Sequence, residues 1–181
     1  MRIFGVDPGA QRTGVGCIET GGSRYKIVIS GTLEPPTSIS FSQKLLFIHK
    51  GLSDLLIKYR PDVMAIENVF FARNARSALI LGHVRGVLML AAAEAKLSVS
   101  EYSPTEVKRA VVGYGRAEKS QVQQMVTLLL GLEVAPSPLD VSDALGVAIC
   151  HANSIGPFGK PDEQSQGSRS WRGYKFKEQS K

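Results

Sequence analysis

Sulfur and imidazole are scarce in this chain: two cysteines and three histidines among 181 residues. Cys17 and Cys150 form no CxxC pair, and each sits in an apolar segment. That argues against a disulfide framework and fits free thiols in a reducing cytosol. His49, His83 and His151 are too dispersed to suggest a zinc site. No charged-then-apolar leader precedes the first strand signal, and no apolar run reads as long enough to span a bilayer. A cytoplasmic location without membrane attachment is therefore expected. Acids are the minority charge, 16 Asp and Glu against 22 Lys and Arg, for a net +6 and a pI of about 9.4. That balance excludes a strongly acidic binding module and favours phosphate-rich partners. There is no internal repeat and no heptad array. At 43% hydrophobic content the chain can bury one ordinary core and hardly two.

What is present reads as an alternation of strands and helices. Arg2 to Asp7, Thr13 to Glu19 and Tyr25 to Leu33 are rich in Ile and Val and are separated by glycine-bearing turns, which predicts an antiparallel meander. From Phe41 to Tyr59, Leu45, Leu46, Ile48, Leu52, Leu55 and Leu56 recur at helical spacing, and Pro61 stops the pattern before a buried strand from Val63 to Glu67. Strand, helix, strand implies a crossover and parallel pairing. A long helix over roughly Ala75 to Lys96 follows, then a short strand near Val99 to Tyr102. Helices are expected from Pro104, from Lys119 to Leu130, and from Asp140 to about Asn153. The order predicts an α/β fold, a mixed sheet covered by helices. Residues 1–156 read as one domain and 157–181 as a flexible basic tail, in which residues 160–181 alone carry +3 of the net charge.

Four acids stand at the ends of these elements. Asp7 closes the first strand before Pro8-Gly9, a tight turn that lets backbone approach a ligand; it also suits a plain turn-opening Asp. Glu67 ends a strand expected to be central, where a carboxylate is costly unless it is paired, metal-bound or at the solvent end. Asp140 suits a helix N-cap, and Asp143 lies one turn further on the same face. Together the four would need cations to offset their repulsion. Hard oxygen ligands suit Mg²⁺, with Mn²⁺ as a substitute, and the basic surroundings suit a polyanion.

At these residues a family resemblance appears. Ile3-Phe4-Gly5-Val6-Asp7-Pro8-Gly9, Ile66-Glu67-Asn68-Val69-Phe70, Val111-Val112-Gly113-Tyr114-Gly115 with Ala117-Glu118-Lys119-Ser120-Gln121-Val122, and Asp140-Val141-Ser142-Asp143-Ala144-Leu145 resemble, in order, the motifs of the RuvC family of Holliday junction resolvases. The resemblance implies an RNase H-like fold with a mixed five-stranded sheet flanked by helices. It also implies a homodimer that nicks two opposed strands of four-way junction DNA during recombination and repair, working with the RuvAB branch-migration complex. By motif position Asp7, Glu67, Asp140 and Asp143 are the catalytic and metal-binding acids, serving two Mg²⁺ ions per subunit. Two-metal hydrolysis needs no Ser, His or Cys nucleophile, since carboxylates are its equipment.

The same resemblance places Lys108 and Lys119 beside the site and Phe70 at the family's stacking aromatic, with Arg73 and Arg76 following as candidate DNA contacts. Ala78, Gly82 and Gly86 put small residues at four-residue spacing on the long helix. They would also suit packing on the chain's own sheet, but because a resolvase must place two sites on two strands the helix is assigned to a symmetric dimer interface. Two other readings compete. Asp7-Pro8-Gly9 also fits the first phosphate loop of actin-like phosphotransferases, although those enclose ATP between two such domains. A non-catalytic junction-binding protein could use the same fold, but it would be expected to lack one or more of the four acids.

Overall fold

A computed structural model describes residues 1–21, 24–68 and 75–155. Strands β1 (Arg2–Asp7), β2 (Thr13–Gly21) and β3 (Arg24–Leu33) form the expected antiparallel meander. Helix α1 (Phe41–Tyr59) crosses over to β4 (Val63–Glu67), and α2 (Ala75–Glu94) crosses over to β5 (Ser98–Tyr102). Both crossovers give parallel pairs, β4 on β1 and β5 on β4, so the five-stranded sheet is mixed and ordered β3-β2-β1-β4-β5. Helices α3 (Pro104–Val112), α4 (Lys119–Leu129) and α5 (Leu139–Ser154) complete the described chain.

Local chemistry sets the boundaries. Ser40 and Gln43 form a capping box at the start of α1, and Arg60 ends that helix in the left-handed region at φ 45°. Ser103 and Glu106 form another at α3, where Pro104 supplies a preset φ and Gly113, at φ 95°, closes the helix. Asp140 was expected as an N-cap, but Pro138 takes that position and Asp140 lies inside the first turn. The acid still meets the positive helix end there.

The period-two alternation of the strands sorts side chains into two layers. Phe4, Val6, Val15, Cys17, Met64 and Ile66 pack with α1 and α2, whereas Ile3, Ile18 and Ala65 pack with α3, α4 and α5. Helix α5 lies on the sheet beneath α3 and α4, so it is buried nearly all round from Val141 to His151.

Helix α2 corrects one expectation. Its twenty residues, with a mean hydropathy of 1.4, are long and apolar enough to cross a membrane by length and composition, yet only 22% of that window is buried within the fold. The apolar positions surround the helix instead of forming one stripe. Val84, Leu88, Ala91 and Ala92 face the core, while Leu79 and Leu90 are 65% and 53% exposed. Arg76 and Arg85 interrupt the run, which is why it did not read as a span.

Candidate active site

Val6 pairs with Ile66 across the parallel β1–β4 ladder, so Asp7 and Glu67 emerge side by side at the carboxyl ends of two central strands. Alternation turns both side chains toward α5, with Ile3 and Ala65. On the other side of β1, Asp7 pairs with Gly14 of β2. A Cβ added at Gly14 would sit 2.0 Å from the Asp140 carbonyl oxygen, and one at Gly5 would sit 2.1 Å from the Ala144 carbonyl oxygen. The missing side chains let α5 rest directly on the strands. That approach brings the first turns of α5, with Asp140 and Asp143, to the end of the sheet.

Asp7, Glu67 and Asp143 stand close enough to act on one another electrostatically. Burial, then the charges of Glu67 and Asp143, raise the Asp7 pKa from 3.8 to about 8. Burial and Asp143 also raise that of Glu67, against a hydrogen bond from Asp7 and the charges of Lys119 and Lys108, which lower it. Lys119, the first residue of α4, places Nζ 2.6 Å from Asp143 Oδ2. Burial lowers the Lys119 pKa, but the Asp143 bond and the charges of Asp7 and Glu67 outweigh it, so the net shift is upward. Asp140 is met by Arg12, whose Nη1 lies 3.5 Å from its Oδ2 while Nε donates to Glu34 at 2.8 Å. Thr13, fully buried, anchors the turn that carries Arg12 by donating to the Gly9 carbonyl at 2.8 Å.

This donor set suits a hard divalent cation: carboxylate oxygens only, two of them held at raised pKa by burial and by the nearby charge of Asp143. Among the described residues no three His, Cys, Asp or Glu side chains form a ready-made metal cage. The ion pairs give a physical reason, since Lys119 draws Asp143, and Arg12 draws Asp140, toward protein cations.

The four sequence-selected acids thus gather at one end of the sheet. Lys108, half-buried on α3, is close enough for its charge to act on Glu67. Arg76 is exposed at the start of α2, and Phe70 and Arg73 lie outside the described residues, as does the basic tail. Sequence reasoning missed Arg12 and Arg85. Arg12 had a faint signal, a cation in the turn just after Asp7; Arg85 had none, being one charge on a helix without a clear polar face.

Comparison with known proteins agrees with this geometry. The family model described as "Crossover junction endodeoxyribonuclease RuvC" matches residues 3–151. The chain is 48% identical over 159 residues to a protein of that name from Desulforamulus reducens, covering 88% of this chain and 98% of that one. It is 51% identical over 155 residues to one from Heliobacterium modesticaldum, covering 86% and 96%. Thermus thermophilus RuvC solved in complex with Holliday junction substrate superposes with a TM-score of 0.80 at 33% identity, covering 84% of this chain and 93% of that one.

Proposed function

The chain belongs to the RuvC family of crossover junction endodeoxyribonucleases, and from that premise we propose that Asp7, Glu67, Asp140 and Asp143 are its catalytic, metal-binding acids. It is a structure-specific endonuclease that binds four-way junctions and hydrolyses DNA phosphodiester bonds to resolve them. The family's chemistry depends on a divalent metal; for this chain we assign Mg²⁺, two ions per subunit, with Mn²⁺ able to substitute. The observation that carries the reading is the meeting of Asp7, Glu67 and Asp143 at the ends of β1, β4 and the first turns of α5, where burial and the charge of Asp143 push the Asp7 and Glu67 carboxyls up.

Bound there, the metal would supply a more acidic attacking water and a counter-charge for the departing oxygen. The chain's own residues do the rest. Asp7 and Glu67, fixed by adjacent strands, hold the donors rigidly; Asp140 and Asp143 complete the set from α5. Lys119, paired with Asp143, and Lys108, whose charge acts on Glu67, are assigned to hold phosphate oxygens. Phe70, Arg73 and Arg76 are assigned to DNA, Phe70 as the stacking aromatic for bases opened at the junction centre. We assign residues 1–156 to the nuclease domain and 157–181 to a basic tail whose charge suits loose contact with DNA, in a cytoplasmic protein whose proposed protein partner is the RuvAB complex.

Paired cuts need paired sites, and we assign the exposed face of α2 to a homodimer. Ala78, Leu79, Gly82, His83, Gly86 and Leu90, with Leu45 of α1, line a shallow apolar depression of about 570 Å³. Nothing lies within 4 Å of a Cβ added at Gly82 or Gly86, so their smallness is not spent on this chain's own core. A twofold partner would meet the same face.

One assay tests both assignments. Incubated with Mg²⁺ and an end-labelled four-way junction, the protein should give nicks at symmetry-related positions on two opposed strands. Gly82→Leu, which crowds the open face without touching the core, should be a folded monomer by light scattering and should cut poorly or on one strand only. Random or absent nicking by the parent protein would sink the functional reading; a monomeric parent that resolves junctions symmetrically would sink the α2 interface.

A further inference from the structure

Arg85 lies on α2 yet reaches the end of β4. Its Nη1 donates to the backbone carbonyl of Glu67, and its Nη2 holds Glu101 Oε2 of β5 at 2.5 Å. Only 14% of the side chain is exposed. A guanidinium withdrawn from water to that extent is tolerated because both ends of its donor fork are satisfied. The approach is from the α2 layer, whereas alternation along β4 turns the Glu67 carboxyl to the opposite layer, with Ala65 against α5. Arg85 therefore grips the strand from behind and leaves the carboxyl facing Asp7 and Asp143. Just beyond, the Asn68 amide donates to the Tyr102 carbonyl at 2.7 Å, and the described part of the strand's exit ends there.

We propose that Arg85 is a positioning residue for strand cleavage: by tying the last carbonyl of β4 to α2 and to Glu101 on β5, it sets where the Glu67 carboxyl stands in the site. The inference rests on the reading of Glu67 as a catalytic acid. Arg85 acts only through the backbone of Glu67 and through Glu101. A lysine at the same position keeps the charge but offers no planar fork to span a carbonyl and a carboxylate.

The test is steady-state cleavage of a four-way junction by Arg85→Lys, Glu101→Gln and Glu67→Gln, each assayed well below its melting temperature, with junction affinity measured in Ca²⁺. Arg85→Lys should lose about 10²-fold in kcat, the penalty of a small misplacement of a reacting group, with KM and junction Kd changed by less than about twofold. Glu101→Gln, which leaves the arginine in place but loosens its second anchor, should show a smaller loss of the same kind. A parental kcat in Arg85→Lys, or a loss carried by KM alone, would overturn the positioning role. Glu67→Gln separates the two layers of the reading: if it cleaves normally, the acid itself leaves the mechanism, whereas an inactive Glu67→Gln beside a fully active Arg85→Lys removes only the anchor.

Discussion

Asp7→Asn should cut junctions at least about 10³-fold more slowly than the parent, because losing several kcal/mol of metal-dependent charge stabilisation costs a factor of ten for each 1.36 kcal/mol. Junction affinity should survive, since binding draws on Lys and Arg contacts to phosphate. The same substitution should stabilise the metal-free fold. Asp7 titrates near 8 in the folded protein against an ordinary value of 3.8, with burial as the first cause and the charges of Glu67 and Asp143 next. Between those values the native state holds a proton that the unfolded chain has released, so metal-free stability falls as pH rises from about 4 to about 8. Asn carries no such titration. At pH 8 without metal, Asp7→Asn should therefore melt higher than the parent, and the difference should vanish toward pH 4. A variant that is inactive and also less stable at pH 8 would point to a damaged fold instead of an emptied site.

Gly14→Ala should also damage cleavage, though less than Asp7→Asn and without altering a charged group. Its Cβ would meet the Asp140 carbonyl oxygen at 2.0 Å, and backbone on backbone has no rotamer with which to yield. Helix α5 must lift from β2, at a cost of about 1–3 kcal/mol of stability, and Asp140 and Asp143 move with it, which costs about 10²-fold in rate. Gly31→Ala on the outer strand β3 is the matched control, because nothing lies within 4 Å of a Cβ added there. Melting curves and single-turnover rates for the pair check this. Equal behaviour of Gly14→Ala and Gly31→Ala would mean that the contact between β2 and α5 does not set the acids' positions.

Much of this was legible in the sequence because the relevant signals are local. Apolar runs ended by Asp7 and Glu67 marked both strands and where they stop, and Pro61, Ser103-Pro104 and Gly113 punctuated the helices where the caps form. The antiparallel meander and the parallel pairing through a crossover were legible too, whereas the strand order came only with the fold. What could not be read depends on which surfaces meet. Gly5 and Gly16 look like ordinary strand glycines until α5 is laid across them. Arg12 and Arg85 acquire meaning only when turns and helices remote in sequence bring them to Asp140 and to the Glu67 carbonyl. The N-cap expectation for Asp140 failed because Pro138 preempts it, and the length of the apolar run over α2 was under-read because that helix is apolar on two faces for different reasons.

The central claim is that the acids at this end of the sheet hold the divalent metal used for cleavage. Anomalous diffraction from crystals soaked in Mn²⁺ tests it most directly. The expected result is manganese bound among Asp7, Glu67, Asp140 and Asp143, with the Lys119 ammonium moved away from Asp143; manganese bound only at other acids, with the Lys119–Asp143 pair intact in a protein that still cuts junctions, would contradict it.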